Sequence, residues 1–112
     1  MATTVKRLVN GSQLTASAAT YYTAGANTKA VIKAASLVNT TAGAVTATVY
    51  LISSGGTAGA TNTLISAKSI AAGETYNCPE LVNHVLEAAG FIQALAGSAT
   101  AITLVVSGVE VT

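Results

Sequence analysis

The side chains able to do acid–base, nucleophilic or metal chemistry are few in this chain, and they are scattered. His84 is the one histidine and Cys78 the one cysteine among 112 residues. A lone histidine cannot build a zinc site, which takes about four ligands. It also has no Ser/Asp partnership, because the chain contains no aspartate. His84 therefore reads as a partly buried or interface residue. Cys78 lacks a CxxC partner and sits between Asn77 and Pro79, so it reads as a buried or inert thiol. The carboxylates are Glu74, Glu80, Glu87 and Glu110. Glu80 and Glu87 could approach each other as the carboxylate pair of a glycosidase does. Such a site also needs an aromatic cleft, and the chain has no Trp, one Phe and four Tyr. Ser54-Gly55-Gly56 lacks the lysine and the spacing of a phosphate-binding loop. The expectation is a non-enzymatic protein with no catalytic residues, no metal site and no cofactor.

Composition points the same way. Hydrophobic residues make up 51% of the chain and charged residues only 8%, against about 25% charged in ordinary globular domains. Lys6, Arg7, Lys29, Lys33 and Lys68 are dispersed, and the net charge is +1. No basic stripe of a nucleic-acid binder is present. Apolar runs such as residues 44–52 are broken by Thr and fall short of the roughly 20 residues of a membrane span. Residues 1–13 carry no apolar run of a secretion signal, so synthesis in a cytoplasm is expected. One cysteine excludes an internal disulfide. A surface this poor in charge suits burial against neighbours.

The elements that must carry these residues have a period of two. In residues 44–53, Val45, Ala47, Val49 and Leu51 point one way and Thr46, Thr48, Tyr50 and Ile52 the other. In residues 28–39, Ala30, Ile32, Ala34 and Val38 share a face, with Lys29 and Lys33 opposite. Ile102, Leu104 and Val106 share a face near the C-terminus. Ser107-Gly108 interrupts that run, Val109 and Val111 are expected to continue it, and the glycine suggests a bulge. Strands are predicted near residues 6–9, 20–24, 28–39, 44–53, 63–70, 75–78, 91–96 and 101–111. Residues 39–43 read as a hairpin-like connection, residues 53–62 as a small-residue loop, and 71–74 and 96–98 as turns. Residues 77–80 resemble a helix start and could lead a helix over 78–89. The preferred alternative is one helical turn, then 85–87 extended and a tight turn at 88–90. Asn10-Gly11-Ser12 and Asn39-Thr40-Thr41 match the glycosylation pattern and read as turn chemistry. Eight short strands at this spacing predict a single all-β domain over residues 1–112. Its expected form is a β-sandwich of jelly-roll or immunoglobulin-like type.

Interface candidates follow from this reading. Adjacent rings in a strand face opposite sides, so one of Tyr21 and Tyr22 should be core and the other a surface anchor. Thr48 and Tyr50 lie on a charge-free strand expected in the core or at a subunit contact. Lys29, Lys33 and Lys68 should guard the free faces. A closed homo-oligomer would hide the exposed apolar area.

Three stretches resemble a group of small virion-associated structural proteins of tailed bacteriophages and prophages. They are ATTVKRLVNG (residues 2–11), TYYTAGANTKAVIKAASLVNTTAGAVTATVYLISSGG (20–56) and HVLEAAGFIQALAGSATAITLVVSGVEV (84–111). The likeness implies a virion location and a role as head decoration (cement) protein bridging shell subunits. Its partners would be itself, as a trimer at local three-fold positions, and the major capsid protein. It implies neither nucleic acid nor membrane as a partner. A tail or fibre-associated module is the alternative within that group. A carbohydrate-binding module is an alternative from another class, resting on Tyr21, Tyr22, Tyr50 and Tyr76.

Overall fold

The alternating runs become strands with few changes of boundary. The computed structural model describes residues 2–112. The strands are β1 (Thr3–Gln13), β2 (Ala19–Thr23), β3 (Lys29–Asn39), β4 (Val45–Ile52), β5 (Thr63–Ile70), β6 (Thr75–Tyr76), β7 (Val85–Leu86), β8 (Phe91–Ala96) and β9 (Ile102–Val111). No helix occurs among the described residues. The segment after Pro79 is one turn, with Leu81 N–H donating to the Cys78 carbonyl at 3.0 Å. It is followed by β7 and a tight turn in which Gly90 N–H donates to the Glu87 carbonyl at 2.9 Å. The continuous helix over 78–89 does not form.

Two antiparallel sheets face each other. One has the order β1-β9-β3-β6, with β7 also pairing β3, and the other the order β2-β8-β4-β5. Strands β6 and β7 pair with opposite ends of β3, so together they fill one edge position. The pairs β1–β9, β2–β8, β3–β6/β7 and β4–β5 are nested. The chain thus forms one long antiparallel hairpin, closed at the β4–β5 loop and rolled into two sheets. That is the jelly-roll connectivity, and it settles the choice against the immunoglobulin-like arrangement. Among the described residues the one local hairpin is β4–β5. Residues 39–43 instead carry the chain from one sheet to the other, because β3 and β4 belong to different sheets. The loop at residues 53–62 is tied by Asn62, whose side chain accepts from Gly59 N–H at 2.9 Å and donates to the Thr57 carbonyl at 2.8 Å.

The core is aliphatic and drawn from both sheets: Leu14, Ile32, Leu37, Val49, Ile70, Ile92, Ile102 and Leu104 are fully buried. Burying a side chain of this size stabilises by about 1.5–3 kcal/mol. Asn39 is fully buried among them and fully bonded.

Two expected faces shift at bulges. The β3–β9 register slips between Ile32 and Ala34. Ala30 and Ile32 point inward, but past Lys33 the inward residues are Ala35, Leu37 and Asn39, while Ala34 is exposed. An inserted residue moves every later side chain to the other face. Strand β9 itself is regular. Its even-numbered residues stay inward through Gly108, so Val109 and Val111 join Val105 on the outer face rather than following Val106. The bulges lie on its two neighbours, at Leu8 in β1 and Lys33 in β3, on either side of Ser107 and Gly108.

Candidate functional site

The residues with chemical potential do not converge on one site, and each carboxylate has its own local partner. Cys78 is fully buried at a positive φ of 34°. Burial, aided by the nearby Glu80 charge, pushes its thiol up to about 12, so it carries little thiolate near neutral pH. His84 is exposed rather than partly buried; its backbone carbonyl accepts from Ile32 N–H at 2.9 Å. Glu80 accepts the Tyr76 hydroxyl at 2.7 and 2.5 Å. That hydrogen bond is the main reason the Tyr76 phenol is pushed up to about 12. Glu87 pairs with Lys29 at 3.6 Å. Glu74 accepts from Ala71 N–H at 2.9 Å and shapes the turn before β6. Glu110 accepts the Tyr22 hydroxyl and pairs with Lys6 at 3.5 Å. Burial first, then the Glu110 carboxylate, raises the Tyr22 phenol above its ordinary value. Among the described residues no three His, Cys or Glu side chains group as metal ligands.

The sequence-predicted interface residues lie on the sheet formed by β2, β8, β4 and β5. A register slip between Thr20 and Tyr22 makes Tyr21 the extra residue of a bulge. Both rings are half-buried and pack on the core, instead of dividing between core and surface. Tyr21 Oη accepts from Thr15 N–H at 3.1 Å. Thr48 Oγ1 accepts from Ala67 N–H at 3.0 Å and so holds the irregular middle of β5. Tyr50 lies on the outer face beside Gln93 and Thr63. Tyr76 stacks under Lys68, whose Nζ is 5.0 Å from the ring centroid. The four tyrosines therefore make no shared aromatic platform for a sugar.

Sequence reasoning missed the feature whose chemistry best suits a partner surface, because strand register alone assembles it. Val5 pairs with Val109, Val109 with Val31, and Val31 with Val85. Directly opposed residues share a face. Four valines from four strands thus form one row across the outer face of the β1-β9-β3-β7 sheet. Val5 is 82% exposed and Val85 50% exposed. Val82, 37% exposed, adds to the same face. It rims a depression of about 280 Å³ floored by Ala34, Ser36, Val105 and Ser107 at the β3 bulge. Val5, Val82 and Val85 are the large aliphatic side chains that stand well exposed in the described chain. The charges near them are Arg7, two residues from Val5 on the same face and bonded to Asn10 Oδ1 at 2.9 Å, Lys33, which donates to Asn83 Oδ1 at 3.3 Å, and the Lys29–Glu87 pair.

No family model matches the chain, and no curated protein matches it. Among solved structures it is similar to a chain of "Structure of infectious bursal disease virus Gx strain", at 17% identity and a TM-score of 0.35. The match covers 97% of this chain and 39% of that one, so this chain spans well under half of its length. A likeness of that size says nothing about what the present chain does.

Proposed function

We propose that the chain is a non-enzymatic structural protein of a bacteriophage particle that decorates and cements the head by bridging neighbouring shell subunits. The observation that carries this reading is the valine row on the outer face of the β1-β9-β3-β7 sheet. Apolar side chains exposed in a contiguous strip mark an interaction surface. A jelly roll hosts many functions, so the weight rests on that surface and on the 8% charge content. The virion assignment itself rests on the resemblance of residues 2–11, 20–56 and 84–111 to virion-associated proteins. The mechanism is area burial at about 25 cal/mol per Å² of apolar surface, repeated at every copy of a lattice. No reacting group is required, in keeping with carboxylates that are each tied to a local partner.

Electron microscopy of purified particles carrying a labelled copy of the chain tests the assignment. Label distributed over the head is the expected result. Label confined to the tail would replace the head role with a tail or fibre-attached module. Particles that carry none of the chain would contradict the virion reading altogether.

A further inference from the structure

We infer that the free edge of β1 pairs antiparallel with β1 of a second copy, about a two-fold axis at Val5. This goes beyond the virion reading and stands without it. Strand β1 ends its sheet, with β9 on one side and, among the described residues, no strand on the other. Ala2 and Thr112 exchange two backbone hydrogen bonds, of 3.0 and 2.9 Å. Hydrogen-bonded pairs recur every second residue along an antiparallel ladder. Thr4↔Glu110 and Lys6↔Gly108 are therefore the next such pairs. By the same alternation, the N–H and C=O groups of Thr3, Val5 and Arg7 point away from β9, toward the open edge.

Three features make this edge self-complementary. Centring the pair on Val5 sets Thr3 opposite the Arg7 of the partner. The outward groups of residues 3, 5 and 7 then meet as six backbone hydrogen bonds. Charge fits as well. Lys6 falls opposite Thr4 and Arg7 opposite Thr3, so no like charges oppose each other, which would destabilise the pair. Lys6, paired at 3.5 Å with Glu110 of its own chain, also faces toward Glu110 of the second copy across one threonine. Finally, Thr3, Thr4, Val5, Lys6 and Arg7 are exposed on both faces, so nothing in the opposite sheet obstructs an incoming strand. The bulge at Leu8 ends the straight segment and limits pairing to these residues. Pairing would extend the four-valine row into one of eight across a continuous sheet. Edges of this kind, straight and without proline, invite added strands. A two-fold contact here is isologous and closes as a dimer, in place of the trimer expected from the sequence.

Sedimentation of the full chain with Val5→Pro tests the contact. Proline removes the outward N–H of Val5 and leaves the β9 ladder intact, a position where an edge strand tolerates it. The wild type should be dimeric at about 100 µM and Val5→Pro at least about tenfold weaker in dimerisation, with matching circular dichroism melts once both are diluted to monomer. As a check on register, Thr4→Cys combined with Lys6→Cys should give a covalent dimer on mild oxidation, since residues 4 and 6 face each other across the axis. A wild type that stays monomeric, a dimer unaffected by Val5→Pro, or a double-cysteine variant that oxidises without cross-linking copies overturns the proposal.

Discussion

Gly108→Ala is expected to destabilise the protein by about 3 kcal/mol or more, the upper range for overpacking, a fall on the order of 15 °C in Tm for a domain of this size. The methyl carbon would lie 2.2 Å from the Val31 carbonyl oxygen and 3.1 Å from Leu8 Cδ1. The first contact is with backbone, so no rotamer change relieves it. Either β3 moves away from β9, breaking the longest ladder of the sheet, or the bulges at Leu8 and Lys33 rearrange. The Val31 carbonyl of β3 and the Leu8 side chain of β1 close on Gly108 from its two neighbours, and only a residue without Cβ admits that approach. Gly43→Ala is the control, since no atom lies within 4 Å of the added carbon. Thermal unfolding followed by circular dichroism should separate the two. A Gly108→Ala melt within a few degrees of wild type would refute the packing described for this sheet.

Asn39→Leu should cost about 3–4 kcal/mol, read as a lower midpoint with an unchanged m-value in urea unfolding. The Asn39 amide nitrogen donates to the Gly43 and Ile70 carbonyls, both at 2.8 Å. Its carbonyl oxygen accepts from Thr41 N–H at 2.9 Å and Thr41 Oγ1 at 2.7 Å. Its own backbone adds bonds to Glu74 and Gly73, each of 3.0 Å. One buried residue thereby fastens the β3–β4 crossover, the end of β5 and the β5–β6 turn. Leucine fills the volume but leaves the Ile70 carbonyl and the Thr41 N–H without their partners, each orphaned group costing about 1–3 kcal/mol, while the Gly43 carbonyl keeps the Thr41 hydroxyl at 3.0 Å. Asn39→Asp should be worse near neutral pH, because a buried carboxylate would face two carbonyl oxygens. Facing them raises the folded-state pKa of that carboxyl above its unfolded value. The variant should therefore regain stability as pH falls through that raised value. A wild-type midpoint for Asn39→Leu would show that the crossover does not depend on this residue.

The strands were legible in the sequence because alternation and β-branched residues act locally: residues 63–70 and 91–96 were placed to the residue. Connectivity was less so. Asn39-Thr40-Thr41 carries turn chemistry, but the same residues can close a hairpin or cross between sheets, and only the burial of Asn39 beneath Gly43 and Ile70 decides. The faces of β3 and the placing of Tyr21 were misread for one reason. A bulge adds a single residue at Lys33 or Tyr21 without any local signature, and everything beyond it reverses. The valine row was beyond reach of any local pattern, since Val5, Val31, Val85 and Val109 stand far apart in the chain and meet only through non-local pairing.

The direct measurement of the cementing role is rebinding of the purified chain to heads stripped of it, comparing wild type with Val82→Lys combined with Val85→Lys. Both valines are exposed and lie away from β1, so the change should leave stability within about 0.5 kcal/mol and leave the β1 contact untouched. Lysine at these positions sets two charges in the apolar strip. Co-sedimentation should show wild type saturating the heads and the variant binding at least about tenfold more weakly. Binding of the variant at wild-type strength would contradict the claim that this sheet face is what holds the chain to its shell.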